Sequence, residues 1–304
     1  MDLTRAEIAR IHELIAPHIR RTPVIETDGM VLKLECLQHA GSFKPRGAFA
    51  NLLTREVPKA GLVAASGGNH GAAVAYAARA LGYPSQIYVP DISSPAKIAL
   101  IRRLGGTVVV GGAEYAEALS ASLTYQQETG AMTVHAYDAI ETLGGQATLG
   151  RELEEQTSLD TVLVAVGGGG LIGGIAAWYA GRTRIVAVEP ELSCCFDAAR
   201  RAGEPIDVSV GGIAADSLGA RALGELSHAI AKDFVAQNCL VSDEAIVEAQ
   251  TWAWQALNLA VEPGGATALA AIRSGAYQPQ PGERVGVIMC GSNVDLTKLS
   301  ASSA

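Results

Sequence analysis

Lys44 stands in the stretch KLECLQHAGSFKPRG, residues 33–47, where an alternating, β-rich run at 31–35 gives way to a turn at 39–42 and a helical pattern from Phe43. A lysine at a helix start meets the positive end of the peptide dipoles, and burial there further disfavours an ammonium. An amine held neutral near pH 7 is a nucleophile able to form a Schiff base. Arg46, two residues on, is expected to add a second cation beside it. A second group is Ser66-Gly67-Gly68-Asn69-His70-Gly71, between a short apolar run at 61–66 and an alanine-rich helix reaching Leu81. Strand, glycine turn and helix start together make an anion seat. A third is Gly167-Gly168-Gly169-Gly170, after DTVLVAV and before LIGGIAAW, which gathers unencumbered N–H groups around one point as a phosphate cradle requires. Gly168, Gly170 and Gly173 also satisfy GxGxxG, and Glu189 lies about twenty residues on, as in a dinucleotide fingerprint. On this motif alone the two phosphate readings carry equal weight.

The elements that must hold these groups alternate between strand and helix. Thr4 to Glu7 is a capping box, with Ile8, Ile11, Leu14 and Ile15 at helical spacing, so a helix is predicted over residues 5–20. Strands are predicted at 86–90, 107–110 and near Val134, with helices from Ser94 and over 113–129 between them. This predicts a small lobe with a parallel sheet at 61–137. Beyond it, helices are expected at 144–156, 243–258 and 264–274, and strands at 159–166, 184–188 and 284–289, with less regular chain up to about 226. The first 50 or so residues are expected to pack with the second lobe. The division is therefore 1–52 with 138–304 as a large cofactor-binding domain, and 53–137 as a small mobile one.

Composition narrows the function classes. A chain of 304 residues with 49% hydrophobic and 18% charged residues describes a compact soluble α/β enzyme. A net charge of -8 argues against nucleic acid and anionic membranes as partners, leaving small metabolites. Cys36, Cys194, Cys195, Cys239 and Cys290 are odd in number and lack CxxC spacing, which favours reduced thiols in a cytoplasm. Residues 1–30 contain no apolar leader core, and no apolar run reaches the length of a membrane span.

The blocks KLECLQHAGSFKPRGA, ASGGNHGAAVAYAA, GGQATLG, VAVGGGGLIGG, VEP, VEPGGATALAA and MCGSNVD occur in that order over roughly residues 20–295. Together they resemble the fold-type II pyridoxal-phosphate enzymes, nearest the serine/threonine dehydratase and serine racemase family. That resemblance implies a two-domain, tryptophan-synthase-β-like α/β fold with parallel sheets and flanking helices. It implies that Lys44 holds pyridoxal 5'-phosphate as an imine, that Gly167, Gly168, Gly169 and Gly170 bind its phosphate, that Asn69 meets the ring hydroxyl and that Phe43 packs on the pyridine. Ser66, Gly67, Gly68, Asn69 and His70 would receive the substrate carboxylate, largely through N–H groups, with the His70 side chain a satisfied helix-start imidazole. Cys290 falls where the family has a serine, threonine or cysteine beside the pyridine nitrogen, and Ser292 is the alternative. A neutral partner there makes the ring a weaker electron sink and favours loss of a β-leaving group.

Two departures refine the expectation. Racemases of this family carry a serine hydroxyl at the position of Gly67, on the face opposite the lysine, and its loss favours elimination over racemisation. Metal-dependent members carry an acid at the VEP position, here Glu189, and a second that falls on Cys195; Asp197 would have to substitute through a shifted loop, so support for a divalent cation is weak. The expected activity is dehydration and deamination of L-threonine or L-serine to a 2-oxo acid and ammonia, with the cofactor phosphate or Glu262 in the pocket assisting the leaving hydroxyl. Serine racemase, another β-hydroxy amino acid lyase, an NAD-dependent oxidoreductase and an amino-acid sensor are the alternatives. Relatives lead to the expectation of a homodimer or homotetramer, and a chain end at Ala304 to the absence of a C-terminal regulatory domain.

Overall fold

The computed structural model describes residues 3–294, and the reading of the chain end at Ala304 lies outside them. Thr4 caps α1 (Arg5–Ile15), its Oγ1 accepting the Glu7 N–H at 3.2 Å. The helix stops at Ile15 rather than residue 20 because Pro17 has no N–H to continue the ladder, and a 3-10 turn follows. β1 (Val24–Thr27) and β2 (Met30–Lys33) form a hairpin, and α2 (Lys44–Thr54) comes next.

A four-stranded, wholly parallel sheet is then laid down from β3 (Leu62–Ala65), β4 (Ser85–Val89), β5 (Thr107–Val110) and β6 (Met132–Thr133), in the order β5-β4-β3-β6. Its crossovers are α3 (Asn69–Leu81), α4 (Pro95–Arg103) and α5 (Tyr115–Thr129). After α6 (Ile140–Gln156) come β7 (Thr161–Ala165), α7 (Gly170–Tyr179), β8 (Arg184–Pro190), α8 (Cys195–Ala202), α9 (Ala215–Leu218), α10 (Glu225–Phe234), β9 (Val235–Val241), α11 (Asp243–Leu257), α12 (Pro263–Arg273) and β10 (Val285–Ile288). The second sheet runs β1-β2-β10-β7-β8-β9 and is parallel except for β1. Its central strands are mostly apolar because helices cover both faces, and every residue of β7 and β10 is buried.

Two hydrophobic cores result. One surrounds the six-stranded sheet; the other joins α3 and β3 to Ile11 and Ile15 of α1 and to Ala48, Phe49 and Leu52 of α2.

The predicted strand positions hold, and besides the end of α1 two readings are refined. The less regular chain expected between β8 and residue 226 is broken by α8 and α9 and leads into α10 and the edge strand β9. α8 and α9 are only eight and four residues long, too short to stand out as elements in the sequence. α6 starts at Ile140 rather than residue 144, because its glycine pair belongs inside the helix. A Cβ on Gly145 would run into the Arg46 carbonyl carbon at 2.7 Å and Gly47 Cα at 2.6 Å, so glycine lets α6 touch α2.

Candidate active site

The three glycine- or cysteine-bearing turns all follow the C-terminal ends of parallel strands: Ser66 after β3, Gly167 after β7 and Cys290 after β10. Open α/β sheets place ligands at such ends. Lys44 is carried to the same place by the segment before it. Ser42 bridges to Gly291, the Phe43 N–H donates to the Cys290 carbonyl at 3.1 Å, and the Ser292 N–H donates to the Gly41 carbonyl at 2.8 Å. Lys44 then opens α2, its Nζ donating to the Ala136 carbonyl at 2.8 Å and lying 5.0 Å from the Phe43 ring centroid. Burial lowers its pKa to about 8, against the opposing pull of Cys290 and Glu262.

Arg46 does not join it. Its guanidinium is wholly buried on the far side of α2, bonded to Glu35 at 2.6 Å and Glu152 at 3.0 Å, and Lys33 completes the cluster on Glu152. The expected second cation beside Lys44 is therefore corrected, because two residues along a helix point to different faces.

The turn after β3 is tied across the site. Ser66 Oγ accepts the Gly68 N–H at 3.3 Å. Asn69 Nδ2 donates to Glu262 Oε1 at 2.6 Å, and Asn293 Nδ2 donates to Asn69 Oδ1 at 2.7 Å. Burial pushes the Glu262 carboxyl up to about 7, although the Asn69 bond and the Lys44 charge pull the other way. His70 Nε2 donates to the Val134 carbonyl at 2.8 Å, and burial with the Lys44 charge drops its pKa to about 3, so the ring is neutral.

At the tetraglycine turn, Gly169 has φ +90, a left-handed conformation that suits glycine, and α7 begins at the next residue. A Cβ on Gly168 would enter the Tyr137 ring, and one on Gly170 would lie 2.9 Å from Tyr137 Cα. A Cβ on Gly167 would meet the Leu218 backbone at 3.0 Å. The turn is thus a bare backbone cradle at the N-terminus of a ten-residue helix.

The sequence matches the family described as pyridoxal-phosphate dependent enzyme over residues 15–291. The chain belongs to that family. It is 36% identical over 312 residues to a serine racemase of Oryza sativa subsp. indica, covering 96% of this chain and 92% of that protein. It is also 36% identical over 303 residues to the phenylserine dehydratase of Ralstonia pickettii, covering 95% and 92%. Among solved structures, a T.th. threonine deaminase superposes with a TM-score of 0.90 at 33% identity, covering 96% of this chain and 99% of that one.

The residues of this pyridoxal-phosphate enzyme fit its cofactor. Lys44 offers an amine of lowered pKa, and the Gly167 to Gly170 turn offers a phosphate cradle that side chains would block. The buried Ser227 Oγ beside Gly169 has no hydrogen-bond partner among the described residues. Glu189 is not available to a dinucleotide ribose: it is fully buried and accepts the Phe196 and Asp197 N–H groups at 2.7 and 2.9 Å, capping α8, with burial raising its pKa to about 8. Asp197 is engaged with Asn238 and Arg201, and Cys195 Sγ donates to the Gly167 carbonyl at 3.2 Å. Among the described residues no three His, Cys, Asp or Glu side chains gather as metal ligands.

Cys290 and Ser292 part company. The Ser292 hydroxyl donates to the Cys36 carbonyl at 2.8 Å, whereas the buried Cys290 Sγ donates to the Gly264 carbonyl at 3.3 Å, near enough to Lys44 for the ammonium to oppose the rise that burial imposes on the thiol. Residues that pattern reading missed are Tyr137 over the glycine turn, Asn293 on Asn69, and the Lys97–Asp216 pair at 2.9 Å joining α4 to α9. The available signal for Tyr137 was its place just past a parallel strand.

Proposed function

We propose that the protein is a pyridoxal-phosphate-dependent ammonia-lyase that dehydrates and deaminates L-threonine and L-serine to a 2-oxo acid and ammonia. The observation that carries this reading is the pairing of the buried Lys44 amine with the neutral Cys290 thiol, which burial holds above the usual thiol range. Bound pyridoxal phosphate supplies the electron sink that allows a Cα proton to leave. Lys44, held by α2, is the base that takes that proton, and its lowered pKa makes the free amine available near neutrality. The N–H groups of the Ser66 to Asn69 turn and the Ser66 hydroxyl receive the substrate carboxylate, and Gly167, Gly168, Gly169 and Gly170 hold the cofactor phosphate. Asn69, kept in orientation by Glu262 and Asn293, would hold the ring hydroxyl, and Phe43 would pack on the ring. Cys290, rather than Ser292, would meet the pyridine nitrogen, because its Sγ is buried near the Lys44 amine while the Ser292 hydroxyl is held against the Cys36 and Gly41 carbonyls. Gly67 adds no protic side chain to the turn, which supports elimination over racemisation. The mobile small lobe, residues 53–137, closes over the substrate and excludes water. The active protein is an assembly of two or four copies.

The test is the visible spectrum of the purified protein followed by 2-oxo acid release from a panel of β-hydroxy amino acids. Lys44→Ala is expected to lose both the chromophore and turnover; a variant retaining full rate would overturn the reading.

A further inference from the structure

The space left by the missing side chain of Gly67 is filled from elsewhere. A Cβ built on Gly67 would lie 2.9 Å from Ser93 Oγ and 3.5 Å from Ser93 Cβ, so the hydroxyl occupies the volume a side chain at position 67 would use. Ser93 comes from the β4–α4 loop. Its N–H is fixed on the Pro90 carbonyl at 3.0 Å, while its hydroxyl makes no hydrogen bond among those found between the described residues. The loop is also strapped down. Ser94 Oγ caps α4 by accepting the Lys97 N–H, and the Lys97 ammonium reaches Asp216 Oδ1 at 2.9 Å, across to the segment whose Asp216 carbonyl lies 3.6 Å from a Cβ on Gly68. Lys44 enters the site from α2 and Ser93 from the β4–α4 crossover of the four-stranded sheet, so the amine and the free hydroxyl are carried by different walls.

We infer that Ser93 is a substrate-contacting residue whose hydroxyl returns a proton to Cα from the wall facing Lys44, giving the enzyme an inverting side reaction that Gly67 alone would deny it. This rests on the elimination reading above. The Cα–H bond breaks as Lys44 takes the proton; a new C–H bond forms as the Ser93 O–H breaks; the serine oxygen regains a proton from water at its half-exposed loop, and the hydroxide left behind takes the proton from Lys44, so both groups return to their starting states. Nothing is oxidised or reduced, and only the configuration at Cα changes.

The holoenzyme is incubated with L-serine in D2O, and D-serine, Cα deuterium in recovered serine and 2-oxo acid are measured together. The wild type is expected to form D-serine beside 2-oxo acid, and Ser93→Ala to lower the D-serine to 2-oxo acid ratio by about a hundredfold, as loss of a proton-transfer group does. Gly67→Ser in the Ser93→Ala background should restore the ratio, because the transplanted hydroxyl has the vacated volume. An unchanged ratio in Ser93→Ala, or no D-serine from the wild type, would overturn the inference. Failure of the elimination reading is seen separately, as no 2-oxo acid from any β-hydroxy amino acid.

Discussion

At the scale of single residues, chemistry is set by what surrounds each ionisable group. Glu262 has a folded pKa of about 7 against an ordinary value of 4.5, because burial favours its protonated form. The folded protein therefore binds more protons than the unfolded chain between those values. This contribution to stability is full below pH 4.5 and is lost as pH rises through 7. The cofactor-free protein should accordingly lose up to about 3 kcal/mol from this group over that window. Urea midpoints at pH 5 and 7.5 should show the loss in the wild type and a flatter profile in Glu262→Gln; equal profiles would assign the effect elsewhere. Lys44 acts in the opposite sense, since its folded value of about 8 lies below 10.5, so its contribution is present above pH 10.5 and is lost as pH falls through 8. Lys44→Met should remove that loss. The identity of Lys44 was legible from its local stretch, whereas the direction of Arg46 was not, because a helix sends neighbouring side chains to different walls.

At the scale of elements, close backbone approach positions the site. Gly168→Ala puts a methyl into the Tyr137 ring, so cofactor affinity, read by fluorescence titration with pyridoxal phosphate, should fall at least about tenfold while far-ultraviolet circular dichroism is kept. Gly145→Ala presses on α2 behind Lys44 and should cost about 1–3 kcal/mol in denaturant unfolding. If either substitution were silent, the contacts of these turns would not be what seats the cradle and the lysine. Strand positions were legible because buried parallel strands leave uninterrupted apolar runs. β9, at the sheet edge, mixes buried and exposed positions and leaves no such run.

At the scale of the whole molecule, charges buried between α2, α6 and the hairpin join segments distant in the chain. Glu152 accepts both Lys33 and Arg46, and its carboxyl is held below the usual range by those cations. Removing it leaves two buried cations short of a partner, so Glu152→Ala should destabilise by about 3–5 kcal/mol. Thermal unfolding of Glu152→Ala beside Arg46→Ala tests this, and a loss confined to either single cation would contradict a shared cluster. The exposed Lys97–Asp216 pair should contribute less than about 1 kcal/mol, so Asp216→Asn is expected to leave the melting temperature nearly unchanged. By itself the sequence offered Lys44 as the candidate nucleophile and the glycine turn as the candidate phosphate cradle, and determined the alternation of strand and helix, since each is written in a few adjacent residues whose backbone preferences act locally. Only the tertiary structure decided that Asn69 meets Glu262, that Arg46 turns away and that Ser93 fills the place beside Gly67. Those contacts join residues as far as 193 positions apart, and no local preference reports which distant surface will close on which.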